Sequence, residues 1–156
     1  MDRVSRDVRS RTMASIKGRG TTIEKTLETL ASKTRFSLLT HPKWLGSPDL
    51  AFPNRGVVVF LDSCFWHRCP AHYRSPKSRA EYWSAKIERN VYRDAEIRLS
   101  YQRDGWLVVQ FWEHAILENP NECFGRLLEA LRSRRHMRLV PPPPRRTKGG
   151  GVPFHW

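Results

Sequence analysis

Two cysteines and a histidine lie close together in a segment that is rich in aromatic residues and proline. Cys64, Cys69 and His72 follow the pattern Cys-x4-Cys-x2-His. Thiolate and imidazole ligands in a tetrahedral set favour zinc, and a site with four protein ligands is structural. The alternative is that both cysteines are small, buried core residues. The spacing favours zinc but leaves the fourth ligand open among three candidates, His114, Cys123 and His67.

Acidic residues form a second group of candidates. Asp49 follows Pro48 at the start of a predicted strand, and Asp62 closes the predicted hairpin 13 residues later. Carboxylates that converge on one point bind Mg²⁺, which orients a phosphate and lowers the pKa of its bound water. Glu24 and Asp94, on two predicted helices, could reach the same edge of the sheet. Taken singly, each acid is more often a turn residue, a helix cap or a salt-bridge partner.

His67 lies inside the cysteine-containing loop, but not at a position of the Cys-x4-Cys-x2-His pattern. Because the pKa of histidine lies near neutrality, this residue could activate water or protonate a leaving oxygen. It could equally be another zinc ligand or a surface histidine. The spacing does not choose between these roles.

Large apolar side chains stand beside these polar residues. Phe65 and Trp66 directly precede His67, Trp83 lies near the start of a predicted helix, and Met13 lies in a basic N-terminal segment. Apolar side chains that insert between base steps are a known means of deforming DNA. Ordinary core packing is the alternative for any one of them.

The elements that must position these residues alternate between helix and strand. The patterns predict a helix after the capping box of Thr21 and Glu24, then a loop after the hairpin, and a long helix after a second capping box. In full, the predicted elements are a basic helix 5–17, a helix from 21, strands 36–39, 46–52 and 57–61, a loop 63–76, a helix from 78 to about 104, a strand 106–112 and a last helix marked by 123–131. This order predicts an α/β fold with a mixed sheet flanked by helices.

The net charge of +13 is concentrated at the two ends of the chain. Residues 1–20 carry +4 and residues 132–148 carry +7, which leaves +2 for the rest. Basic ends of this kind favour a polyanionic partner, because each phosphate contact releases counterions. We therefore expect a basic DNA-binding arm (1–20), one catalytic domain (21–135) and a basic Pro/Gly-rich flexible tail (136–156).

Other function classes are disfavoured. No apolar run approaches the roughly 20 residues that span a bilayer, and the basic N-terminus has no apolar signal region. Three cysteines, an odd number, argue against a disulfide framework. The expectation is a soluble, unexported protein of the cytoplasm that associates with the nucleoid.

Taken together, the motifs resemble the very-short-patch-repair (Vsr) endonucleases, bacterial enzymes that begin repair of T·G mismatches left by deaminated 5-methylcytosine. The resemblance covers about residues 5–131. It rests on these pieces in order: Arg11-Thr12-Met13, Thr22-Ile23-Glu24-Lys25, Gly46-Ser47-Pro48-Asp49, Val59-Phe60-Leu61-Asp62-Ser63-Cys64-Phe65-Trp66-His67, Tyr82-Trp83-x-x-Lys86-Ile87-x-x-Asn90-x-x-Arg93-Asp94 and Gly105-Trp106-x-Val108-x-x-x-Trp112-Glu113.

The resemblance implies a restriction-endonuclease-like, PD-(D/E)XK-related fold and a role for each matching residue. Asp49 would bind Mg²⁺ with the main-chain carbonyl of Leu61, and His67 would be the general base. Glu24 and Asp94 would support the metal and its water. The structural zinc would be held by Cys64, Cys69, His72 and His114, and the DNA would be contacted by Met13, Phe65, Trp66, Trp83, Lys86 and Arg93. The product would be a nick 5′ of the mismatched thymine, with 5′-phosphate and 3′-hydroxyl ends.

The sequence departs from the wider nuclease superfamily at one point. Phe60-Leu61-Asp62 stands where that superfamily has an acidic-x-lysine segment, so no lysine can act there. Two other interpretations remain open: a zinc-stabilised DNA-binding module without catalysis, and a restriction-type endonuclease that cuts both strands. The second usually needs a symmetric dimer, whereas a nicking enzyme is expected to be a monomer that hands its product to downstream repair proteins.

Overall fold

The computed structural model describes residues 21–135. The predicted basic arm with Met13, the predicted helix 5–17 and the predicted tail 136–156 lie outside the described residues. Within 21–135, none of the helices combines the length and the apolarity that a membrane span requires.

The described residues form a four-stranded mixed sheet in the order β1-β2-β3-β4. The strands are β1 (Leu39–Thr40), β2 (Leu50–Phe52), β3 (Val57–Asp62) and β4 (Leu107–Trp112). β2 pairs antiparallel with both β1 and β3, whereas β3 and β4 run parallel from Val57 opposite Leu107 to Asp62 opposite Trp112. The segments that follow β3 and β4 therefore meet at one edge of the sheet.

Helices cover both faces of this sheet. The helices are α1 (Thr22–Ser32), α2 (Ala80–Arg103), α3 (Glu113–Glu118) and α4 (Pro120–Ser133). α1, α3 and α4 pack on one face, where Val57 and Val59 meet side chains such as Leu27, Ile116 and Leu127. α2 packs on the other face, where Val58 and Phe60 meet Tyr101. Because side chains alternate along a strand, successive residues of β3 pack into the cores on the two faces of the sheet in turn.

Several predicted elements are confirmed. α1 begins after Thr21, whose hydroxyl oxygen accepts a hydrogen bond from the Glu24 N–H at 3.2 Å. The antiparallel pair β2 and β3 is joined by a single 3₁₀ turn, Pro53–Arg55. The predicted loop after β3 has no helix or strand before α2. The mixed sheet flanked by helices is thus as predicted.

Three details differ from the prediction. The strand predicted at 36–39 is reduced to Leu39 and Thr40, because β2 offers it only Ala51 and Leu50 as partners. The capping box predicted at Ser78 is wrong: α2 begins at Ala80, and Arg79 stands at the N-cap position with φ +52° and no side-chain cap. α3 was not predicted, because it follows β4 without a turn and ends just before Asn119-Pro120.

Candidate active site and metal centre

The backbone holds Asp49 at the start of β2. The Asp49 N–H donates to the Val59 carbonyl at 3.0 Å, and its carboxylate Oδ2 accepts the Leu61 N–H at 2.7 Å. The N–H and the C=O of one strand residue point to the same neighbouring strand. The Leu61 carbonyl therefore lies on the side of β3 that faces Asp49, as a shared metal site would require.

The surroundings of Asp49 make its carboxyl group unusually basic. Burial raises the pKa of Asp49 to about 6, and the negative charges of Glu24 and Asp62 act in the same direction. The hydrogen bond from the Leu61 N–H and the charge of His41 oppose this shift. A raised pKa marks a carboxylate whose charge is only partly compensated by the protein, and a cation would supply the rest.

A histidine that the sequence did not single out lies against this site. The His41 N–H donates to the main-chain carbonyl of Asp49 at 2.8 Å, and its Nε2 lies 2.9 Å from the carboxylate of Glu28 on α1. This pair ties α1 to the strand end that carries Asp49. No sequence pattern predicted this pair, because the two residues are 13 positions apart and belong to no motif.

His67 is oriented by carboxylates. Its Nδ1 lies 2.6 Å from Oδ2 of Asp94 on α2 and 3.8 Å from Oδ1 of Asp62. An ionised carboxylate can only accept, so Nδ1 carries the proton and donates it to Asp94. This tautomer leaves Nε2 of His67 free to accept a proton. Burial alone would lower the pKa of His67, but the hydrogen bond to Asp94 and the charges of Asp62 and Asp94 outweigh it and raise the pKa.

Asp62 is a buried acid for which the sequence predicted no role. It is 3% exposed at the end of β3, and its Oδ2 accepts hydrogen bonds from Arg98 of α2 and from Nε2 of Gln110 at 2.5 Å. With His67 and Asp94, these residues line a cavity of about 190 Å³ between the sheet and α2. The sequence places Asp62 among the candidate acids, at the end of the predicted hairpin, but no pattern predicts its role.

Two cysteines and two histidines converge at the adjoining edge. The donor atoms of Cys64, Cys69, His72 and His114 all lie within 4.8 Å of one another. Sγ of Cys64 is 3.2 Å from Nδ1 of His114, and Sγ of Cys69 is 3.8 Å from Nδ1 of His72. The first three residues belong to the loop after β3, while His114 is on α3 directly after β4. The parallel pairing of β3 and β4 thus joins parts of the chain that are 50 residues apart.

Two soft sulfur donors and two imidazole nitrogens form a set that fits zinc. Burial raises the pKa of the Cys64 thiol. For Cys69, burial acts in the same direction, but hydrogen bonds from His72 and from nearby main-chain N–H groups lower the pKa of its thiol. The other two candidates for the fourth position lie elsewhere: Cys123 is buried in the core beneath α4, and Nδ1 of His67 faces Asp94.

Aromatic side chains gather where the loop meets the start of α2. The ring centroids of Phe65, Trp66 and Trp83 lie 4.9–6.1 Å from one another, and all three rings are partly exposed. The ammonium group of Lys86 lies 5.2 Å and 5.3 Å from the two indole centroids. Arg93, further along α2, is 62% exposed. The structure thus brings together three predicted DNA-contacting rings and one predicted cation.

Comparisons with known proteins point in one direction. The family described as DNA mismatch endonuclease Vsr matches residues 1–72. The type II nicking enzyme V.NmeDIP of Neisseria meningitidis serogroup C is 35% identical over 141 residues, which cover 86% of this chain and 93% of that protein. The DNA mismatch endonuclease Vsr of Escherichia coli K12 is 34% identical over 110 residues, which cover 69% of this chain and 70% of that protein.

The chain belongs to the Vsr family of DNA mismatch endonucleases. It is therefore a DNA endonuclease, and DNA is its partner. A third relative, the type II nicking enzyme V.NaeI of Lentzea aerocolonigenes, is 47% identical over 72 residues, which cover 46% of this chain and less than half (43%) of that protein.

For a Vsr-family enzyme, the arrangement of the predicted site residues is coherent. His67 contacts Asp94 on α2, Asp49 directly precedes β2, and Glu24 lies close enough to act on the charge of Asp49. The four predicted zinc ligands lie together in the adjoining loop. Met13 lies outside the described residues.

Proposed function

We propose that this Vsr-family endonuclease nicks one strand of duplex DNA 5′ of the thymine in a T·G mismatch, in a reaction that depends on Mg²⁺. The observation that carries the proposal is that Asp49 and the Leu61 main chain meet at the strand edge, while Asp62 links this edge to His67. A carboxylate and a main-chain carbonyl are hard oxygen donors of the kind that Mg²⁺ prefers. The Pro48-Asp49 strand end supports a fold related to that of type II restriction enzymes.

The chain's own groups have distinct tasks in this proposal. Asp49 and the Leu61 carbonyl would hold Mg²⁺, which when bound would orient the phosphate and lower the pKa of its water. Nε2 of His67 takes the proton of the attacking water, because Nδ1 is already committed to Asp94. Glu24 adds negative charge beside Asp49 and supports the metal and its water. Hydrolysis leaves a 5′-phosphate and a 3′-hydroxyl.

We assign the recognition of the mismatch to the aromatic cluster of Phe65, Trp66 and Trp83. A mispaired step costs less to unstack than a paired one, so partly exposed rings enter most easily beside a mismatch. Met13 would enter from the N-terminal arm. Lys86 and Arg93 contact phosphates, and the basic segments 1–20 and 136–156 add grip that does not depend on sequence.

A zinc ion held by Cys64, Cys69, His72 and His114 would make one rigid element of this loop. Phe65, Trp66 and His67 lie between the first two of these ligands. DNA distortion and proton transfer would then depend on the same short segment. The general base, His67, would therefore be in place only where the aromatic rings have entered the DNA base stack. A monomer suffices for this reaction, because only one strand is cut.

The test is strand-specific nicking of end-labelled duplexes that differ only in a T·G or a T·A pair. The wild-type enzyme should nick the T·G duplex with Mg²⁺ and lose this activity with EDTA. Asp49→Ala should reduce nicking to background while keeping DNA binding. Glu129→Gln, which changes an exposed acid on the opposite face of the sheet, is the matched control. A nicking rate in Asp49→Ala equal to that of the wild type would refute the proposed mechanism.

A further inference from the structure

Asp62 is the one charged residue among 21–135 that is buried. A carboxylate in this position needs compensation, because removing it from water is costly. Two donors provide it: Arg98, 36 positions away on α2, and Gln110, 48 positions away on β4. Three elements therefore converge on one carboxylate oxygen, Oδ2.

The other oxygen of Asp62 faces the proposed catalytic base. Oδ1 lies 3.8 Å from Nδ1 of His67, the same atom that lies 2.6 Å from Asp94. The imidazole ring is thus flanked by two carboxylates that come from different elements, β3 and α2. His67 itself belongs to a loop outside the helices and strands, where its backbone N–H donates to the Ser63 carbonyl at 3.2 Å, so the orientation of its ring depends on these two carboxylates.

We infer that Asp62, clamped by Arg98 and Gln110, is a positioning residue that holds the His67 ring against Asp94 for nicking. This inference rests on the proposed function in one respect, namely that His67 is the base. Asp94 fixes the tautomer by a direct hydrogen bond, while Asp62 limits the movement of the ring from within the sheet. Groups of this kind, which orient a reacting residue without touching substrate, often contribute 10- to 100-fold in activity.

A purely structural role would give a different result. The Asp62–Arg98 ion pair also ties α2 to the sheet, so its loss could simply weaken the fold. In that case the fraction of active enzyme and the melting temperature would fall, but the kcat of the folded molecules would not. The effect of changing Asp62 would also be the same with and without His67, since a general loss of stability does not depend on the general base.

The experiment is a mutant cycle with Asp62→Asn and His67→Ala, measured as kcat and KM for nicking under conditions where each variant is folded. Asp62→Asn should lower kcat by about 10- to 100-fold, with KM for the duplex almost unchanged. In the His67→Ala background, the same change should have no further effect on the residual rate. Arg98→Lys, which keeps the charge, should retain more activity than Arg98→Met.

Tyr101→Phe is the matched control. Its hydroxyl donates to the Leu45 carbonyl at 2.8 Å, so the change removes one buried hydrogen bond of α2 on the same face of the sheet. We expect a lower melting temperature and an unchanged kcat. If Asp62→Asn does not fold, Gln110→Leu removes one of the two clamping donors and should lower kcat several-fold with the same dependence on His67.

Two results would overturn the inference: an unchanged kcat in the folded Asp62 or Gln110 variant, or an equal loss with and without His67. Failure of the proposed function would look different, because the wild-type enzyme would then not nick the T·G duplex or His67→Ala would retain full activity.

Discussion

The two halves of the site are built in different ways. Asp49 directly precedes β2 and Asp62 ends β3, and their carboxylates are fixed by main-chain and side-chain hydrogen bonds within the protein. The Cys/His half is an irregular loop between β3 and α2, and three of its four donor residues, all except Cys69, are partly or fully exposed. The sheet half is preorganised by folding alone. We expect the loop half to reach comparable order only with a bound metal.

This difference suits the two halves to different functions, phosphate chemistry in the sheet half and DNA contact in the loop half. Phosphate chemistry needs groups held within a fraction of an ångström, which strands and a packed helix provide. Contact with DNA needs side chains that are accessible, which a loop provides. His67 belongs to the loop by sequence but is held by Asp94 and Asp62, so it is the link between the two halves.

Breaking this link should have the largest effect. His67→Ala should lower the rate of T·G nicking by roughly 10²- to 10⁴-fold, the usual contribution of a general base. Asp94→Asn should cause a smaller loss, because an amide can still contact Nδ1 but no longer requires the proton there. Glu129→Gln, an exposed acid on the opposite face of the sheet, is the comparison. Single-turnover rates would decide the order, and equal activity of His67→Ala and wild type would contradict it.

Removing the metal should affect the loop half and spare the sheet half. We expect one zinc per chain by elemental analysis, and Cys69→Ser should abolish it. A loss of about 2 kcal/mol would lower the melting temperature by roughly 5–10 °C in a domain of this size. The control is Cys123→Ala, whose sulfur lies in the core beneath α4 and should leave the zinc content unchanged. A purified protein that contains no zinc, or an unchanged zinc content in Cys69→Ser, would argue against this account.

A change near Asp49 tests the sheet half. Gly46 has φ +70°, and a Cβ there would lie 2.5 Å from Cγ2 of Ile97 on α2. Gly46→Ala should therefore destabilise the protein by about 2 kcal/mol and slow nicking by displacing the Pro48-Asp49 turn. Gly125→Ala, on α4 with no atom within 4 Å of the new Cβ, should instead stabilise by up to about 1 kcal/mol. Equal effects of the two changes on thermal unfolding would be inconsistent with this close approach.

The smallest effect is expected for the exposed rings. Trp66→Ala removes one ring of the aromatic cluster and should reduce the ratio of T·G to T·A nicking by about tenfold, the equivalent of 1–2 kcal/mol of base stacking. The melting temperature should change little, because this ring is partly exposed. Phe124→Ala, on the far face, should leave the ratio unchanged. Undiminished discrimination in Trp66→Ala would show that the mismatch is read elsewhere.

The sequence predicted those features that depend on neighbouring residues. Thr21 and Glu24 predicted the start of α1, and the Cys-x4-Cys-x2-His spacing predicted a cluster that His114 completes. The sequence could not predict contacts made through space, such as Asp62 with Arg98 or His41 with Glu28, because no local pattern links those residues. The capping box predicted at Ser78 failed although its pattern is local, because the loop brings Arg79 to the helix start in a left-handed conformation.

In the proposed reaction, Asp49 and His67 act on one phosphate. The most direct measurement is a crystal structure of the enzyme with a T·G duplex and Mn²⁺, which replaces Mg²⁺ and is located by its anomalous scattering. The account predicts a Mn²⁺ peak bound by the Asp49 carboxylate and the Leu61 carbonyl, with Nε2 of His67 facing the phosphate 5′ of the thymine. A Mn²⁺ peak away from Asp49, or a His67 ring turned away from that phosphate, would contradict it.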